Sequence, residues 1–201
     1  MRTLHVLTLA LLAAAGASSA PEAKGAALCP DERASGRSSA KAAGWLAPAA
    51  PALTLAAADE MASAAIREAE ERGFFDISVT VIDASGRVLV AKTMTGCPSL
   101  PPRIALAKAM ACLSTHAPSS RALRDKYLPD RAPQLLAMTV IGAESQLPLS
   151  AVPGGLLLRD ASTNIVGAVG VSGASADEDE ECAIAAARAV GLSTNPPGWS
   201  V

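Results

Sequence analysis

Cys112 and His116 stand four residues apart near the end of an alanine-rich segment, a spacing that puts both side chains on one helical face. A thiolate and an imidazole so placed have three chemical uses. They can be two metal ligands, an axial pair for an iron porphyrin, or a nucleophile with its base. Two ligands do not close a metal site, and there is no C-x-x-C-H run for covalent haem attachment. The structural alternative is a buried cysteine beside a histidine that caps a helix C-terminus, where the dipole favours a cation. Lys108 lies one turn earlier, in Ile104-Ala-Leu-Ala-Lys-Ala109. Its ammonium either meets a ligand carboxylate or snorkels to water while its stem covers apolar surface.

Glycines mark the last third of the chain. Gly154-Gly155 follows Pro153, and Gly170-Val-Ser172-Gly173 closes the apolar run that starts at Ile165. Glycine at such positions lets another backbone or a flat ligand come close, or permits positive φ at a strand end. The spacing matches neither phosphate-loop pattern, G-x-x-x-x-G-K-[ST] or G-x-G-x-x-G. Asp177-Glu-Asp-Glu-Glu181 comes next. Those carboxylates either hold a hard cation or offset the positive end of a helix dipole.

Taken together, Gly154-Gly155, Gly170 to Gly173, Asp179-Glu180, the Ala-Lys108-Ala context and the later Pro118-Ser119 pair resemble the haem-degrading domain family. That family includes GlcG-like and HbpS-like secreted haem-binding proteins, and the resemblance runs from about Leu53 to Gly191. It implies a profilin-like fold, a homo-oligomer, and haem or a related tetrapyrrole as ligand, with Lys108 near a propionate. The glycines and Ser172 would then frame the ligand. His116 becomes the iron ligand on this reading, being the one histidine besides His5. Lys92 to Cys97 and Pro101-Pro102 depart from the family pattern, which leaves Met94 and Cys97 as other iron ligands. A small-molecule enzyme using Cys112 and His116 is the second reading, and a structural oligomer without ligand the third.

Local signals say which elements carry these residues. Thr54 can cap a helix running to Arg72, with Ala58, Ala62, Ala65 and Ala69 at helical spacing and Gly73 as its stop. Ile77 to Ile82 and Arg87 to Ala91 read as a hairpin turning at Asp83-Ala-Ser-Gly86. A helix is predicted from Arg103 to Thr115, a helix or turn from Ser119 to Tyr127, and a third strand near Leu136 to Ile141. Two closing strands follow, and then a helix from Asp177 to Val190. Ser175 and Glu178 have the capping-box spacing at its start. Hairpin strands with helices before, between and after them predict an α+β domain, an antiparallel sheet with flanking helices.

Composition excludes some partners. A formal charge of −2 gives no basic face for nucleic acid, and two Trp, one Tyr and two Phe build no stacking ladder. At the N-terminus, Arg2, the apolar run Val6 to Ala15 and the small residues to Ala17 read as a signal peptide over residues 1–17. That run is about half of the ~20 residues needed to cross a bilayer, so no membrane span is predicted. Residues 18–52 read as a flexible low-complexity leader, 53–192 as the domain, and 193–201 as a tail. The reading is of a secreted or extracytoplasmic protein. The Ser, Arg and Ala bias of Arg33 to Lys41 is the alternative, a bipartite leader addressed to a plastid. Cys29, Cys97, Cys112 and Cys182 allow three disulfide pairings, or remain as buried thiols.

Overall fold

The computed structural model describes residues 51–194. The predicted signal peptide, the predicted leader up to residue 50, Cys29 and residues 195–201 lie outside the described residues.

Helix α1 (Leu55–Arg72) starts where Thr54 Oγ1 accepts from Ala57 N and stops at Gly73, whose φ is 69°. Strands β1 (Ser78–Asp83) and β2 (Val88–Thr93) form the predicted hairpin. Asp83 Oδ1 accepts from Ser85 N, Ser85 Oγ and Arg87 N, and Oδ2 accepts from Arg87 Nε. One carboxylate thus fastens the whole turn. Helix α2 (Pro101–Thr115) places Pro101 and Pro102 in its first turn, where a missing N–H costs nothing. Helices α3 (Ser120–Tyr127) and α4 (Ala132–Glu144) follow, then β3 (Gly155–Arg159), β4 (Ile165–Ser172) and α5 (Ala176–Ala189). The capping box at Ser175 and Glu178 is formed.

The sheet is antiparallel throughout, in the order β2-β1-β4-β3. Its alternation assigns the two faces. Val79, Val81, Leu156, Leu158, Val169 and Val171 point to a core shared with α1 and α5. Ile82, Leu157 and Ala168 point the other way, to Ala109, Met110, Cys112 and Leu113 of α2. Both faces of the central strands are covered, so that even Ser78 and Thr80 of β1 are buried and β4 is apolar or small at nearly every position. The α+β expectation holds.

One element differs. Leu136 to Ile141, predicted as a strand, lies inside the helix α4. A short apolar run fits either state, and Thr139, Val140 and Ile141 are β-branched. Pro133 in the first helical turn and the helix formers Gln134 to Met138 set the outcome. Among the described residues, no helix is long and apolar enough to cross a membrane. Cys97, Cys112 and Cys182 are free thiols, so no disulfide joins any two of them.

Candidate functional site

Lys108, expected to meet a ligand carboxylate or to snorkel to water, is enclosed in the domain. Its side chain is 1% exposed and Nζ donates to the Val171 carbonyl (2.8 Å) and to Asp179 Oδ2 (2.7 Å). Asp179 Oδ1 in turn accepts from Ala174 N at 3.1 Å. Burial pushes the ammonium down and the carboxyl up, and their mutual attraction opposes both shifts. The pair ties α2 to the start of α5 past the end of β4. An ammonium so enclosed does not snorkel to water, and the carboxylate it meets is that of Asp179.

The glycine motifs belong to the same junction. Gly155 and Gly170 are register partners on the α2 face of the sheet. A Cβ on Gly170 would stand 2.0 Å from the Ala105 carbonyl oxygen, and one on Gly155 would stand 2.5 Å from that of Lys108. Gly154, at φ 117°, faces Lys108 Nζ, and Gly173, at φ 146°, faces the Asp76 backbone. What approaches these glycines is the protein's own chain, chiefly helix α2 packed hard onto β3 and β4. Ser172 is buried beside them, opposite Ser78. Gly154, Gly155, Gly170, Ser172 and Gly173, expected to frame a ligand, are packed here against the protein's own chain.

The acidic cluster is likewise spent on internal partners. Asp177 and Glu180 both accept from Arg121, Glu181 from Arg72, Glu178 from Ser175 N, and Asp179 from Lys108. Among the described residues, no group of three or more His, Cys, Asp or Glu side chains is placed to hold a metal ion. The hard-cation reading gives way to a set of clamps between α5 and its neighbours.

His116 stands apart from this junction. It ends α2 in the left-handed region (φ 54°) and donates its N–H to the Leu113 carbonyl. The turn it begins is held from the other side. Leu157 N donates to the Pro118 carbonyl, Gly155 N donates to Ser120 Oγ, and Ser120 Oγ donates to the Val152 carbonyl. Ser119 Oγ accepts from Ala122 N and so caps α3. The Pro118-Ser119 pair therefore docks the turn against β3, leaving the exposed His116 on a cleft of about 740 Å³. Its other walls include Ala122, Leu123, Tyr127 and Met138, with Lys126 at the rim. The volume lies within the ~300–1,000 Å³ usual for cofactor pockets. Lys126 and Arg131 both stand over the Tyr127 ring, at 5.7 and 5.2 Å from its centroid.

Cys112 does not join His116 as a reactive pair. It is fully buried, and burial pushes its thiol far up, with Glu180 adding to the rise. A protonated, enclosed thiol is no nucleophile. Cys97 is half-buried, and burial raises its thiol too. Met94 packs against the α1–α5 core, with its sulfur accepting from Ile77 N. Neither residue lines the His116 cleft. Sequence reasoning missed Lys126, Tyr127 and Met138, which enter the cleft from α3 and from the helix read as a strand.

A family model described as haem degrading protein HbpS-like matches residues 53–188. Among solved structures, HbpS is similar at 30% identity and a TM-score of 0.57, over 72% of this chain and 94% of that one. A double mutant of Streptomyces reticuli HbpS is similar at 28% identity and a TM-score of 0.59, over 83% and 99% of the two chains. A PduOC:heme complex shares the fold at 22% identity and a TM-score of 0.63, covering 73% of this chain and all of that one. No curated protein matches the chain.

Proposed function

The chain belongs to the HbpS-like family of haem-degrading proteins, and from that premise we propose that it binds haem or a related tetrapyrrole, without a covalent link, in the His116 cleft. The observation that carries this reading is the cleft itself: one exposed imidazole beside apolar walls, a tyrosine ring and a rim ammonium, in a space of cofactor size. The donor set suits the group. Imidazole is a common iron ligand that His116 would supply, Leu123 and Ala122 would give the ring an apolar bed, and Lys126 would meet a propionate. A relative's crystallisation with haem supports the same ligand. Bound there, haem would supply redox-active iron whose properties follow its axial ligands. The family description extends the reading to oxidative breakdown of the ring, in which the part of these residues is to bind and orient it.

The cleft also weighs against the enzyme built on Cys112 and His116, since the thiol is shut in the core and the imidazole faces out. Self-association belongs to the proposal. Leu136 and Ile141 of α4 are 64% and 62% exposed, an apolar face that a second copy of the chain would cover. Export from the cytoplasm after removal of residues 1–17 completes it, on the strength of the N-terminal sequence alone.

Titration of the full mature chain with hemin tests the reading. A saturable Soret band is expected, shifted or abolished in His116→Ala. Absence of any hemin-dependent band overturns the haem proposal. An unchanged band in His116→Ala overturns only the assignment of the iron ligand.

A further inference from the structure

Haem iron can take a protein ligand on each face, and on the reading above His116 would provide one. Ser114 and Lys126 are exposed at the edge of the cleft, and the other donor-bearing side chains around it differ in how far they are already committed. Thr115 Oγ1 donates to the Ala111 carbonyl at 2.6 Å and accepts from Ala117 N. Asp125 is paired with Arg124 Nε at 2.8 Å. Tyr127 is buried in the cluster of Ala111 and Leu123, with the Lys126 and Arg131 cations over its ring. Met138 is different. It is half-buried, its thioether needs no hydrogen bond, and it packs on that same cluster from α4.

The fold brings the two residues to one space from separate elements. His116 is delivered by the turn that ends α2, and Met138 by α4, whose Leu135 and Met138 pack on the Leu123–Tyr127 cluster of α3. The α4 surface facing away carries Leu136, Val140 and Ile141. Met138 is thus on the helix face turned to the cleft, and its unbranched side chain can adapt to an inserted ring. Thioether sulfur is a soft donor for iron, and histidine–methionine pairs are an established haem ligand set that raises the reduction potential.

We propose that Met138 is the second axial ligand, so that haem held in this cleft is six-coordinate between imidazole and thioether. The proposal rests on the haem reading above and can fail without it.

The test is optical and magnetic spectroscopy of the ferric, hemin-loaded full chain. A low-spin spectrum with the weak far-red charge-transfer band of thioether-bound ferric haem is expected. Met138→Leu, nearly equal in volume, should keep the Soret band, lose the far-red band and turn high-spin. Met138→His should stay low-spin, lose the far-red band and lower the reduction potential, which separates ligation from packing. If the wild type lacks the far-red band, or Met138→Leu retains it, Met138 is not a ligand although haem binds. If no Soret band forms at all, the haem reading falls and this proposal with it.

Discussion

Lys108 Nζ and Asp179 Oδ2 lie 2.7 Å apart with their side chains 1% and 3% exposed, joining two helices across 71 residues of chain. A buried pair of this kind adds little over an apolar one, but removing one partner strands the other. Asp179→Ala should destabilise the domain by about 3–5 kcal/mol in urea unfolding, and Lys108→Met/Asp179→Leu should recover most of that loss. Equal stability for the double and single variants would show that the loss does not come from a stranded charge.

The sign of the pH response follows from the same geometry. In Lys108→Met the attraction that lowers Asp179 is gone, and burial keeps its carboxyl above the ordinary value of 3.8. The folded state then binds the extra proton. The protonated form's stability is fully present below the unfolded pKa and is lost as pH rises through the folded one. This variant should gain on wild type as the solution is acidified, measured by the urea midpoint.

Asp83 predicts the opposite limb. Burial would raise its carboxyl, but hydrogen bonds from Ser85 and Arg87 outweigh that and bring it from 3.8 to about 2. Its contribution is present above the unfolded value and is lost as pH falls from 3.8 through about 2. The amount is on the order of 2 kcal/mol. Asp83→Asn should be less stable at neutral pH and should show a flatter acid limb than wild type.

Gly170 and Gly73 separate two uses of glycine. At Gly73 a Cβ meets nothing within 4 Å, so Gly73→Ala should cost about 1 kcal/mol for its positive φ alone. At Gly170 the obstacle is backbone of α2, and Gly170→Ala should cost about 3 kcal/mol or more. Thermal unfolding of the two variants compares them, and a similar loss in both would contradict the close packing of α2.

Lys126 and Lys108 should part in hemin titration. Lys126→Ala should weaken binding about two- to fivefold without moving the Soret maximum, as for one exposed charge pair. An unaltered affinity removes Lys126 from the propionate.

Light scattering of the wild type should return a mass above that of one chain, and Leu136→Glu/Ile141→Glu should lower it. A monomer at micromolar concentration refutes covering of the α4 face by a second copy.

Much of the framework was legible because it is written in short-range chemistry. Thr54, Gly73, Ser175 and Glu178 act on backbone groups a few residues away, and the Asp83 turn closes on itself. The family signature was also legible, since Gly154, Gly170 and Lys108 keep their local contexts. The roles of those same residues were not. Only the packed sheet shows that Lys108 finds a carboxylate far along the chain and that Gly155 and Gly170 seat a helix. Leu136 to Ile141 sits between, because its apolar run satisfies both periodicities until Pro133 and the neighbouring elements choose the helix. That choice brings Met138 to the cleft that His116 lines, a placement with no local signal, since burial and proximity are properties of the folded whole rather than of any segment.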